Sequence, residues 1–146
     1  DPRSSSYDAG AHGDLTAIDP ITLKDGDWVF IEGDERRGWF FDRSMMAKNT
    51  DGSIAYWQLI LYNDLGKAQF AEAMHDTDYE KLGYTLQRRV LSPKENTIRT
   101  YEILAYDEEN QKLTSGNRDG HAAEIRPNTM AEKERDAVKK AARHLK

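Results

Sequence analysis

The sequence predicts an α+β fold, an antiparallel β-sheet of about five to six strands with a C-terminal helix packed on it. Three observations carry this. Alternating aromatic and aliphatic segments recur from Trp28 to Tyr106, turn residues separate them, and a capped amphipathic segment closes the chain. At 146 residues the chain suits one domain, and a domain of that size buries roughly 68–70% of its unfolded surface.

Residues 1–26 are rich in Ser, Asp, Gly and Ala and read as a flexible N-terminal leader that docks late through Ile18, Ile21 and Leu23. Residues 27–146 then form the single α+β domain. Its first strand, Trp28 to Glu32, turns through the glycine-flanked stretch Gly33 to Gly38 into a second, Trp39 to Asp42. Asn49-Thr50-Asp51-Gly52 is the strongest turn signal, because Asp-Gly accommodates the positive φ of a tight hairpin. Ser53 to Tyr62 follows, apolar on both faces, which predicts a central strand covered on two sides.

Residues 63–81 break the β pattern and read as a loop with at most two helical turns, striped by Phe70, Ala71, Met74 and Tyr79. Tyr84 to Leu91 and Thr97 to Tyr106 form the next hairpin around Ser92-Pro93-Lys94-Glu95-Asn96. Pairing residue 92 with 98 sets Tyr84 against Tyr106, Leu86 against Leu104 and Arg88 against Glu102, pairs matched in size or charge. Gln111 to Thr114 and Ala122 to Ile125 are further short strands. Thr129 and Glu132 form a capping box, and Met130, Ala137, Val138, Ala141, Ala142 and Leu145 give the helix one apolar stripe to lay on the sheet.

The net charge is -5, yet residues 130–146 hold six Lys or Arg against three Asp or Glu, so the rest of the chain is more acidic than the total. An acidic body argues against nucleic acid, whose phosphates need a basic face. Lys139, Lys140, Arg143 and Lys146 at the helix end instead complement its dipole. No apolar run approaches the ~18 residues of a membrane span. The start Asp1-Pro2-Arg3-Ser4-Ser5-Ser6, without an initiator Met, reads as a trimmed or mature exported chain. There are no cysteines, which removes disulfides, thiolate nucleophiles and thiolate metal sites.

Tests for chemistry return no catalytic, cofactor or metal residues. His12, His75, His121 and His144 are widely spaced. His75-Asp76-Thr77-Asp78 is the nearest approach to a ligand cluster and reads as a solvated loop. No GxSxG elbow, phosphate-cradling glycine loop or calcium loop is present. With 26 acidic residues a carboxylate pair carries no information. The most concentrated positive charge is Arg88-Arg89 with Arg99 on the paired strand. Alternation sends Arg88 and Arg89 to opposite faces, one over Tyr101 as a cation–π pair and the other to solvent. Two readings of Arg88, Arg89, Arg99 and Tyr101 stand: sheet structure, or a partner-binding patch for an acidic or glycan-like ligand.

In order along the chain, Asp27-Trp28-Val29, Trp39-Phe40-Phe41-Asp42-Arg43-Ser44-Met45, Ala55-Tyr56-Trp57-Gln58-Leu59 and Ile125-Arg126-Pro127-Asn128-Thr129 resemble the surface-adhesin E family of small exported bacterial envelope proteins. The resemblance implies an antiparallel sheet with a packed helix and an exported location: periplasmic, outer-membrane-anchored or cell-surface. It also implies adhesion to host extracellular proteins. The cysteines that commonly tie the mid-chain strand to the last helix in that family are absent, so apolar packing between residues 82–86 and 141–145 is expected in their place.

The function expected is therefore a non-enzymatic binding module with a protein partner, a host matrix protein foremost. Its exposed strand edges also allow a homodimer. The alternative is a periplasmic small-ligand carrier or accessory protein with a pocket lined by Trp39, Trp57 and Tyr101. A carboxylate-dependent hydrolase is the third and weakest reading.

Overall fold

The computed structural model describes residues 22–75, 77–117 and 122–145. Strands β1 (Trp28–Gly33) and β2 (Arg37–Asp42) form the expected hairpin. Asp34 makes its turn by accepting the Arg36 and Arg37 amides, each at 2.8 Å. Strand β3 (Ala47–Lys48) meets the start of β4 (Ile54–Tyr62) across the Asn49–Gly52 turn, where Gly52 takes φ 88°. Strands β5 (Leu82–Ser92) and β6 (Thr97–Asp107) form the long hairpin, followed by β7 (Lys112–Asn117) and β8 (Ala122–Glu124).

All pairings are antiparallel, in the order β1-β2-β4-β5-β6-β7, with β3 beside β2 on β4 and β8 beside β7 on β6. Among the described residues, eight strand segments thus occupy six rows. Strand β4 is central, and every residue from Ile54 to Ile60 is buried. The terminal helix α2 (Met130–Ala142) lies on one face through Val138 and Ala142, against Phe41, Ile54, Tyr56, Leu91 and Ile98. The opposite face gathers Trp57, Leu59, Tyr84, Leu86 and Leu104 under Leu23, Trp28, Phe40 and Tyr106.

Buried Asp42 closes the end of β2. Its carboxylate accepts the Asp27 amide at 2.8 Å, the Ser44 amide at 3.1 Å, the Ser44 hydroxyl at 2.7 Å and the Met45 amide at 2.9 Å. Four donors satisfy a group that is costly to bury alone. The Asp-x-Ser spacing of this segment has a local structural reason.

Two sequence expectations change. Residues 64–74 are not a loop with two helical turns at most but an 11-residue helix, α1 (Asp64–Met74), followed by a 3₁₀ turn over Thr77–Lys81. Asn63, read as a turn residue, is the N-cap and accepts the Gly66 amide at 2.9 Å, while His75 closes the helix in the left-handed conformation. The Tyr62, Phe70 and Tyr79 rings stack edge to face and hold this helix. Met74 lies outside the stripe, exposed.

The second change is in the long hairpin. Tyr84, Leu86 and Arg88 oppose Tyr106, Leu104 and Glu102 as expected, but Ser92 pairs with Thr97 rather than residue 98. A bulge at Tyr101 absorbs the extra residue. Residues 1–21 lie outside the described residues, but residues 22–26 form a hydrogen-bonded turn whose Leu23 carbonyl accepts the Trp28 indole N–H at 2.8 Å.

Helix α2 is capped as predicted at Thr129, whose hydroxyl accepts the Glu132 amide at 3.3 Å. The reciprocal bond comes from the Asn128 amide to Glu132, at 3.1 Å.

Candidate functional site

The long hairpin places Arg88, Arg89, Arg99 and Tyr101 together and then divides their work. Arg88 sits 5.5 Å over the Tyr101 ring and bonds Glu102 at 3.3 Å. The bulge is what makes both contacts available: it adds Tyr101 to the strand next to the residue directly opposite Arg88. Arg99 and Tyr101 border an open cleft of about 420 Å³ with Asn49, Asp51, Ser53, Lys94 and Glu95. Hydrogen bonds from Ser53, side chain and then amide, hold the Asp51 carboxyl below its ordinary range.

Arg89 points to the other face, where it is mostly buried against α2 rather than turned out to solvent. Its guanidinium reaches the two carboxylate oxygens of Glu134 at 2.8 and 3.0 Å and the Thr100 hydroxyl at 3.2 Å. Glu134, fully buried on α2, also accepts the Gln58 amide at 2.6 Å and the Tyr56 hydroxyl. Burial opposes the charge on Arg89, but the Glu134 carboxylate outweighs it and the guanidinium is held above its ordinary value. Burial, reinforced by the same carboxylate, pushes the Tyr56 phenol well up.

Glu134 is the residue that sequence reasoning missed. It stands between Met130 and Val138, four residues from each, on the stripe assigned to the core. An acid in that position needs a buried partner. The pairing with Arg89 was therefore legible as a demand, though not as a specific contact.

The pocket expected from Trp39, Trp57 and Tyr101 is not assembled. Trp57 is wholly buried in the cluster opposite α2, Trp39 lies on the helix side of β2, and Tyr101 belongs to the Arg99 cleft. Among the described residues no three His, Cys, Asp or Glu side chains gather as a metal site. His12, Asp76 and His121 lie outside the described residues. No helix among the described residues is long and apolar enough to cross a membrane. The chemistry the Arg99 cleft offers is recognition by charge and hydrogen bonding.

No family model matches the chain, and no solved structure matches it. A curated relative, "Protein arg-6, mitochondrial" of Neurospora crassa, is 25% identical over 124 residues. The match covers 80% of this chain and 14% of that protein.

Proposed function

We propose that the chain is a non-enzymatic binding module that holds an acidic group of a protein partner in the cleft between Arg99, Lys94 and Tyr101. The resemblance to surface-adhesin E proteins supports an exported, envelope or surface setting and a host matrix protein as partner. The observation that carries the reading is the meeting of Arg99 and Tyr101 in one open 420 Å³ cleft, with the Tyr101 ring braced by Arg88. Exposed strand edges support a homodimer as an extension, which light scattering showing only monomer at high concentration removes.

The test is biolayer interferometry against matrix proteins and glycosaminoglycans at two salt concentrations, with an Arg99→Ala/Tyr101→Ala variant. Arg89 is left intact because its loss would orphan Glu134 in the core. Saturable binding that weakens with salt and in the variant is expected; an equal response from the variant contradicts the reading.

A small-ligand carrier is favoured by a different observation, a cleft of about 530 Å³ where the Thr22–Asp25 turn crosses Tyr84, Leu86 and Tyr106. A thermal-shift screen with apolar compounds tests it, and a flat response across the screen counts against it.

A further inference from the structure

Between the N-terminal half of α2 and the sheet lies a third open cleft, of about 250 Å³, bordered by Trp39, Gln58, Ile60, Gln87, Met130 and the Arg89–Glu134 pair. The sheet register builds it. Trp39 stands opposite Ile60, and Gln58 opposite Gln87, so an aromatic ring and two amides converge on one face from three adjacent strands. Arg37 lies 4.8 Å over the Trp39 ring and fixes its plane.

Gln58 is 2% exposed, and its orientation is set by chemistry. Its Nε2 donates to Glu134 at 2.6 Å, and a carboxylate can only accept, so the amide cannot turn round. Its Oε1 is consequently left buried with no hydrogen-bond partner. A buried acceptor without a donor is costly and calls for one from outside the chain. The two charges that line the cleft answer one another, since Arg89 and Glu134 pair at 2.8 Å. A ligand with net charge of either sign gains nothing from them.

We propose that this cleft is a binding site for a neutral polyhydroxylated ring, a single saccharide unit, with its apolar face on Trp39 and a hydroxyl donating to Gln58 Oε1. The Gln87 amide provides a further donor and acceptor at the rim. The volume suits one ring and not a chain. This site faces away from the Arg99 cleft and does not depend on the function proposed for it.

The test is NMR titration of the intact chain with neutral hexoses and N-acetylhexosamines, reading the Trp39 indole N–H and the Gln58 and Gln87 side-chain amides. Saturable shifts at those three groups are expected for at least one sugar, and Trp39→Ala should weaken binding by about tenfold. Should Trp39→Ala fail to fold, Gln87→Ala, altered only at the half-buried rim, must weaken the same sugar. Absence of saturable shifts up to tens of millimolar sugar, shifts confined to other surfaces, or undiminished binding by the folded variant overturns the proposal.

Discussion

Glu134 concentrates the chemistry of this molecule at the scale of a single residue. One buried carboxylate satisfies Arg89, Gln58 and Tyr56, and thereby couples the last helix to the centre of the sheet. Removing it strands a buried guanidinium as well as two polar groups. Glu134→Ala is therefore expected to lower unfolding free energy by about 3–5 kcal/mol in urea titration. Glu134→Gln keeps the shape and should cost less. Tyr56 adds a pH signature. Its phenol is held well above its unfolded value by burial and then by Glu134, so the folded state binds more protons than the unfolded one above about pH 10. Its stabilising contribution is complete below that pH and is lost as pH rises through the folded value. Burial likewise raises Tyr62, Tyr84 and Tyr106. Urea midpoints measured across the alkaline range should fall, and less steeply in Tyr56→Phe. At this scale alternation disclosed that Arg88 and Arg89 part to opposite faces, but which of them meets Tyr101 depended on the bulge. The sequence did not disclose the Arg89–Glu134 partnership, which joins residues 45 positions apart.

Among the elements, α1 shows a conflict between local propensity and packing. Gly66 is buried on the helix, where Ala would ordinarily stabilise by about 1 kcal/mol. Here an added Cβ would strike the Arg36 carbonyl oxygen of the neighbouring hairpin turn. That oxygen accepts the Asn63 amide at 3.1 Å and cannot retreat without breaking the bond that docks α1. Gly66→Ala should consequently lower the thermal midpoint despite its better helix propensity, as calorimetry would record. The strands were legible in the sequence because period-two patterning and Asp-Gly turn chemistry agree there. Helix α1 was not, since its end-caps and an aromatic ladder reaching beyond it hold it rather than a long apolar stripe. The bulge at Tyr101 also escaped, because inserting one residue leaves the favourable pairs from Tyr84 to Arg88 unchanged.

Over the whole molecule, the two faces of the sheet have separate roles. One carries α2, held by apolar packing, the Arg89–Glu134 network, the Lys133–Glu32 ion pair and a 2.9 Å bond from Arg135 to Asn96. The Arg99 cleft opens along the long hairpin, and the proposed recognition of an acidic partner rests there. This division explains why adjacent arginines should respond differently to mutation. Arg89→Met is expected to lower the unfolding midpoint by more than substitution of Arg99, which is exposed. Which cations reach the surface depended on the placement of α2, which periodicity in the sequence does not give.

The most direct measurement is the affinity of Arg99→Glu for a matrix protein bound by the unaltered chain, with its urea midpoint recorded on the same preparation. The proposed function predicts affinity reduced by at least about tenfold at an unchanged midpoint. Undiminished affinity in that folded variant would contradict it.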